Sequence, residues 1–332
     1  MIVNINKKIL IVGLGLLGGS YARILKRYGF HISAITKEQS SIDYALKEGL
    51  IDEGSIELDE RIIGEADIVI FALYPHIFIE WVEQNQFLLK SGALITDVTG
   101  VKCSIVYKVQ EMLRPDVEFI AAHPMAGREV SGVENSTDNL FTGANYIVTP
   151  TAKNTPEAIN TCMELGRLLG FSNVTTLSPE EHDEMIGFLS QLTHCIAITL
   201  MTCNDKENME KFTGDSFRDL TRIARINDLM WSELFIENKT ALLEQMNLFI
   251  DKFNELYHWI EKSAYELDIE LSVLSNRELM FDSMNNKLKD KKVDFILFWD
   301  KDILLAKHLE NLVFSIISFS VSDNLIGSYS YI

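Results

Sequence analysis

An N-terminal α/β domain on a doubly wound parallel sheet, followed by an all-helical domain, is the architecture that three features of this 332-residue sequence predict. Short β-branched apolar runs alternate with amphipathic stretches over residues 1–177. A glycine-rich turn joins the first run to the first amphipathic stretch, and beyond Pro179 long repeats at three and four take over. Strand–helix alternation implies right-handed crossovers, which lay the strands parallel with helices on both faces.

Lys8–Val12 (KILIV) opens the series, apolar throughout as a strand covered on both faces should be. Leu16, Leu17, Tyr21, Ile24, Leu25 and Tyr28 mark a helix that Gly29 stops. Ile32–Thr36 reads as the second strand and Ser41–Glu48 as a helix closed by Gly49. Ile68–Leu73, Leu94–Asp97, Phe119–Ala122 and Tyr146–Thr149 continue the sheet, and Val174–Leu177 closes it. The second domain is expected over 178–286. Within it Leu242, Met246, Phe249, Phe253, Leu256, Tyr257 and Ile260 form an apolar stripe, either a homodimer interface or an internal packing face. Residues 287–332 read as an extension without recognisable chemistry.

Composition narrows the function. Lys+Arg 30 against Asp+Glu 48 leaves a net charge of −18, which argues against a nucleic-acid or anionic-membrane partner while allowing a small anion in a locally basic cleft. Four cysteines without a CxxC pair suit neither a disulfide scaffold nor a zinc site, so reduced, buried thiols and no metal are expected. No signal-peptide form opens the sequence, and no unbroken apolar run of about 18 residues suggests a membrane span. The expected compartment is the cytoplasm.

Gly13-Leu14-Gly15-Leu16-Leu17-Gly18 lies between the first strand and the first helix, where the dinucleotide-binding (Rossmann) fingerprint belongs. Gly13 permits the turn, Gly15 lets the backbone approach a pyrophosphate, and Gly18 allows close helix–strand packing. The second strand ends on Thr36-Lys37 with no acid for a ribose 2′-hydroxyl. A hydroxyl followed by a lysine suits a 2′-phosphate, so NADP is expected over NAD. The alternative leaves Lys37 as a solvated charge and gives the ribose to Glu38. Leu73, Tyr74 and Pro75, after the Ile68–Leu73 strand, and Gly100 complete the expected cofactor contacts. His123 closes a buried strand beside this site, where ligands collect in open α/β sheets, and a near-neutral imidazole can accept a proton there.

Taken together, GLGLLGGS (13–20), DVTGVK (97–102), HPMAGREVSG (123–132), NLF (139–141), HD (182–183), QLTH (191–194) and SFRDLTRIA (216–224) resemble the prephenate/arogenate dehydrogenase family of tyrosine biosynthesis over about residues 7–285. The resemblance implies oxidative decarboxylation. The ring C4–H leaves as hydride to a nicotinamide, the ring carboxylate departs as carbon dioxide, and the ring aromatises. It makes His123 the base for the ring hydroxyl and His194 a substrate-side histidine. Arg222 becomes the substrate-carboxylate arginine, Arg218 a candidate for the second carboxylate, and Asp219 and Glu129 the acids around the arginine. Prephenate is expected over arogenate.

Two departures stand out. The serine that hydrogen-bonds the catalytic histidine in many relatives is Gly100 here, which leaves Thr99, backbone or water to orient His123. The first histidine of the family's HLPH segment is Gln191, retained as a substrate-side hydrogen-bonding group that does not titrate. His182-Asp183 lacks further ligands at metal spacing. A β-hydroxyacid-type dehydrogenase would need a catalytic lysine, for which Lys206, Lys211 and Lys239 have no supporting context. A nucleotide sensor without turnover is the remaining alternative.

Overall fold

The computed structural model describes residues 4–128 and 130–266. Residue 129 and the expected extension 287–332 lie outside the described residues. Two compact units divide at Leu248/Phe249.

The first unit opens with β1 (Lys8–Val12), α1 (Leu16–Arg27), β2 (His31–Ile35), α2 (Gln39–Lys47), β3 (Glu53–Ser55), α3 (Glu60–Glu65), β4 (Ile68–Phe71), α4 (Pro75–Asn85), β5 (Leu94–Asp97), α5 (Cys103–Met112) and β6 (Glu118–Phe119). The six strands form one parallel sheet in the order β3-β2-β1-β4-β5-β6. Ile9, Leu10 and Ile11 have no exposed surface, as a strand covered on both faces requires. Strand order reverses between β1 and β4, which opens a crevice beyond their carboxyl ends.

The later strands depart from a single sheet. β7 (Ala121–Met125), β8 (Asn145–Thr149) and β9 (Asn173–Thr176) make a second sheet, antiparallel between β7 and β8 and parallel between β8 and β9, with α6 (Pro156–Leu168) before β9. The apolar run read as one strand over Phe119–Ala122 is therefore shared by β6 and β7. The Ile120 amide still donates to the Ile95 carbonyl at 3.0 Å, but the Ala122 amide donates to the Asp97 carboxylate at 3.0 Å. A side chain replaces the ladder there, and the chain turns into the second sheet, where His123 is the middle residue of β7, paired with Ile147, and not the end of a strand as expected.

The helical part starts at a capping box on Ser178 and Glu181 and runs through α7 (Pro179–Ile186), a π-helical turn (Gly187–Leu192) and α8 (Thr193–Thr202). Among the described residues, Pro179–Thr202 alone is long and apolar enough to cross a membrane on composition, at mean hydropathy 1.4. Its His182, Asp183 and Gln191 are buried and bonded to protein groups, while most of the span, including Phe188 and Leu189, is not buried. Next come α9 (Asp215–Thr221), the turn Arg222–Ala224, α10 (Asp228–Glu237) and α11 (Lys239–Glu266). Helices α10 and α11 are separated at buried Asn238, whose side chain donates to the Asp183 carbonyl and to Gln191 Oε1, both at 2.8 Å. In the second unit, the C-terminal part of α11 exposes Phe253, Tyr257 and Ile260 along the apolar stripe. Of the cysteines, expected to be buried, Cys162 is buried, Cys103 and Cys195 are half-buried and Cys203 is exposed; all four are free.

Candidate active site

The glycine turn between β1 and α1 has the shape its sequence implies. Gly13 sits at φ +97°, and a Cβ there would lie 2.4 Å from the Ala72 carbonyl oxygen; a Cβ on Gly18 would lie 2.0 Å from the Gly13 oxygen. Both positions exclude a side chain. A Cβ on Gly15 would meet nothing within 4 Å, and Gly15 caps α1 without any side-chain hydrogen bond or first-turn acid. Open space before uncapped helix amides fits a dinucleotide pyrophosphate. Leu14 and Leu16 are buried in the core, so their contribution to such a ligand is backbone. Thr36 is half-buried at the end of β2, Lys37 is exposed beside it, and Glu38 accepts from the Ser41 hydroxyl at 3.4 Å.

The loop after β4 forms the neighbouring wall. Leu73 reaches toward Gly13, its Cδ2 being 2.9 Å from where a Cβ would stand. Tyr74 caps α4, and Pro75 occupies the first helical position, where a missing N–H is harmless. Helix α10 holds this loop: Glu233 accepts from the His76 backbone amide at 2.7 Å and pairs with its Nδ1 at 2.8 Å.

At the centre is His123. Its Nδ1 lies 2.8 Å from His182 Nε2, and His182 Nδ1 lies 2.8 Å from Asp183 Oδ1. The Asp183 carboxylate accepts from the Lys102 and Cys103 backbone amides, each at 2.8 Å. His123 Nε2 faces the Gly100 side, 3.8 Å from where a Cβ would stand, with Leu234 of α10 on the same spot. Burial, reinforced by His182 and Lys102, holds the His123 imidazole well below the usual histidine range and so neutral. Burial lowers His182 as well, against the opposing pull of Asp183. Asp183 would be pushed up by burial, but its bonds to His182 and the two amides keep it below the usual carboxylate range.

Thr99, expected to orient His123, is engaged elsewhere. Its hydroxyl contacts Asp97, stands 3.1 Å from the Val101 carbonyl and accepts from Lys102 at 3.2 Å. The orienting contact on the histidine comes instead from His182, on the opposite ring nitrogen from Gly100.

On the helical side, α8, which carries His194, packs against the turn Arg222–Ala224. His194 stacks on Trp231, ring centroids 3.7 Å apart, and its Nδ1 lies 2.9 Å from the Ser190 carbonyl. Trp231 and Leu234 share α10, so one helix reaches the start of α4, Gly100 beside His123, and His194. Gln191 is not placed as a substrate contact. It is 1% exposed, donates to the Leu234 carbonyl at 2.9 Å and accepts from Asn238, because the π turn directs it into the helix packing. Arg218 turns back along its own helix to the Thr213 carbonyl at 2.9 Å and to Asp215, the geometry of a surface ion pair. Asp219 is exposed on the same helix, and Glu129 lies outside the described residues.

The nucleotide-binding domain of prephenate dehydrogenase matches residues 21–172, and the dimerization domain of that enzyme matches residues 178–273. Prephenate dehydrogenase of Lactococcus lactis is 34% identical over 260 residues, covering 75% of this chain and 70% of its own. The Bacillus subtilis prephenate dehydrogenase is 30% identical over 267 residues, covering 78% and 71%. The chain belongs to the prephenate dehydrogenase family. A crystal structure of Aquifex aeolicus prephenate dehydrogenase, in complex with hydroxyphenyl propionate and NAD+, superposes with a TM-score of 0.72 at 32% identity, covering 87% of this chain and 98% of that one. Membership in the prephenate dehydrogenase family makes the chain a nicotinamide-dependent oxidoreductase, in keeping with the glycine turn. Within this family's frame, His182, Asp183, Lys102 and Asn238 are the site-building residues that sequence reasoning missed. The HD pair (182–183) carries the family resemblance, but nothing in the motif itself indicates that His182 bonds to His123. Among the described residues no cluster of His, Cys, Asp and Glu has the arrangement of a metal site.

Proposed function

We propose that this protein is a prephenate dehydrogenase that converts prephenate to 4-hydroxyphenylpyruvate and carbon dioxide. The observation that carries this reading is the neutral His123 imidazole, fixed through Nδ1 and presenting Nε2 beside Gly100, on β7 just past the carboxyl end of β6 in the parallel sheet built for a dinucleotide. When bound, the nicotinamide supplies the acceptor for the hydride that leaves ring C4. His123 Nε2 takes the ring hydroxyl proton as the C4–O bond gains carbonyl character. Loss of the ring carboxylate returns electrons to that oxygen, which recovers the proton from His123 as the phenol forms. Aromatisation drives the reaction, so the remaining residues serve to bind and orient. Arg222 holds a substrate carboxylate and His194, stacked on Trp231, lines the same side. The backbone of Gly13, Leu14, Gly15, Leu16, Leu17 and Gly18 holds the pyrophosphate.

Thr36 and Lys37, with Glu38 bonded to Ser41, support NADP over NAD. Exposed Phe212, Leu229 and Ile236 in the helical part, together with the match to a dimerization domain, support a homodimer. Four free thiols suit a reducing compartment, hence the cytoplasm. The test is reduced-nicotinamide formation by purified protein, with prephenate or arogenate crossed with NADP or NAD. Turnover is expected fastest with prephenate and NADP. Absence of turnover in all four combinations, with dinucleotide still bound, would overturn the assignment.

A further inference from the structure

We propose that His182 and Asp183 are positioning residues that fix His123 in the tautomer protonated on Nδ1, leaving Nε2 as a bare acceptor beside Gly100. This deepens the proposed function and rests on His123 acting there as base.

The chain of contacts permits one assignment of protons. Both Asp183 oxygens already receive backbone amides, from Lys102 and Cys103, and an ionised carboxylate has no hydrogen to give. The 2.8 Å contact to His182 Nδ1 is therefore an N–H donated by the imidazole. A neutral His182 then has no hydrogen on Nε2, so the 2.8 Å contact to His123 must be His123 Nδ1–H donating to His182. A neutral His123 so protonated carries its lone pair on Nε2. The carboxylate thus sets a ring orientation two hydrogen bonds away, the arrangement by which carboxylate–histidine pairs fix tautomers elsewhere.

The surroundings leave this task to His182. Gly100 offers no side chain on the Nε2 face, and the Thr99 hydroxyl is held by Asp97, Val101 and Lys102. The other charged or titratable groups packed here are Lys102, Asp97 and Cys103. The Lys102 ammonium is directed to Asp97 and the Ala122 carbonyl, and burial pushes the Cys103 thiol up to about 12, so it stays protonated. A merely structural role for His182 predicts no particular tautomer on His123.

The direct test is nitrogen NMR of the ligand-free full-length enzyme carrying ring-labelled histidine, with the His123 signals assigned by their loss in His123→Gln. Protonated Nδ1 and unprotonated Nε2 on His123 are expected; a proton on Nε2 overturns the proposal. This reading needs no turnover, so it fails or stands separately from the choice of substrate. His182→Gln keeps an acceptor near the Nε2 position and is expected to retain kcat within about tenfold, with the tautomer unchanged. His182→Leu is expected to lower kcat by about 100-fold with dinucleotide Kd unchanged. Equal losses in the two variants, or none in His182→Leu, overturn the proposal. Should the leucine variant not fold, the wild-type spectrum and the glutamine variant decide.

Discussion

Lys102 Nζ lies 2.7 Å from Asp97 Oδ2 with neither side chain exposed to solvent, and the same ammonium donates to the Ala122 carbonyl at 2.6 Å. Asp97 ends β5 and Ala122 precedes His123 on β7, so this pair clips the strands together where the chain leaves one sheet for the other. Burial pulls the ammonium below its ordinary range while Asp97 opposes that shift. A buried ion pair contributes little over an apolar replacement of both partners, but removing one partner strands the other. Lys102→Met is therefore expected to cost about 3–5 kcal/mol in urea denaturation. A loss below about 1 kcal/mol would show that Asp97 is not held as an ion.

The second and third glycines of the turn are expected to fail differently. Gly18→Ala forces a Cβ onto the Gly13 carbonyl, 2.0 Å away, so it should lower both the melting temperature and dinucleotide affinity. Gly15→Ala meets no protein atom and leaves the fold intact, yet it places a methyl group before the α1 amides. Dinucleotide affinity should fall about tenfold or more with melting temperature unchanged, as calorimetry and thermal denaturation can show. Unaltered affinity in Gly15→Ala would move the pyrophosphate away from α1.

Stability should depend on pH through the buried histidines. His123 and His182 are held below their ordinary range, so near and below about pH 6.5 the unfolded chain binds protons that the folded chain refuses. Their contribution is complete above that pH and is lost as pH falls toward the folded values. With two protons involved, the slope approaches about 2 to 3 kcal/mol per pH unit. Asp183, lowered on folding, adds a further loss only in more acid solution. Melting temperatures from pH 7.5 downward are expected to drop as pH 6 is crossed; a flat profile to pH 5 would mean that neither histidine is held neutral.

Arg222 and His123 should separate kinetically. Arg222→Ala removes binding common to substrate and transition state, and is expected mainly to raise KM. His123→Asn is expected to lower kcat by about 10²- to 10⁴-fold with dinucleotide Kd unchanged. An Arg222→Ala effect confined to kcat would contradict a carboxylate-binding role.

What the sequence made legible was local. The strand β1, the glycine turn and α1 are contiguous, and their periodicities change where the structure changes. His123 was legible as the residue ending a strand, a recognised ligand position, although it lies in the middle of β7, just past the end of β6. The partners of His123 were not, since His182 is 59 residues away and reaches it only after β7 and α7 pack. The switch from β6 to β7 was also hidden, because Phe119–Ala122 is apolar throughout and the switch depends on the Asp97 side chain receiving the Ala122 amide. Gln191 illustrates the reverse. The family resemblance placed it at the substrate, while the π turn, a hydrogen-bonding detail with no composition signature, directs its amide to Leu234 and Asn238.

Prephenate carrying deuterium at ring C4 tests the central claim in one measurement, by following label on the nicotinamide and carbon dioxide in the same reaction. One deuterium transferred to the nicotinamide ring for each carbon dioxide released is the predicted result. Carbon dioxide released without label on the nicotinamide would contradict hydride removal from C4, and with it the role given to His123.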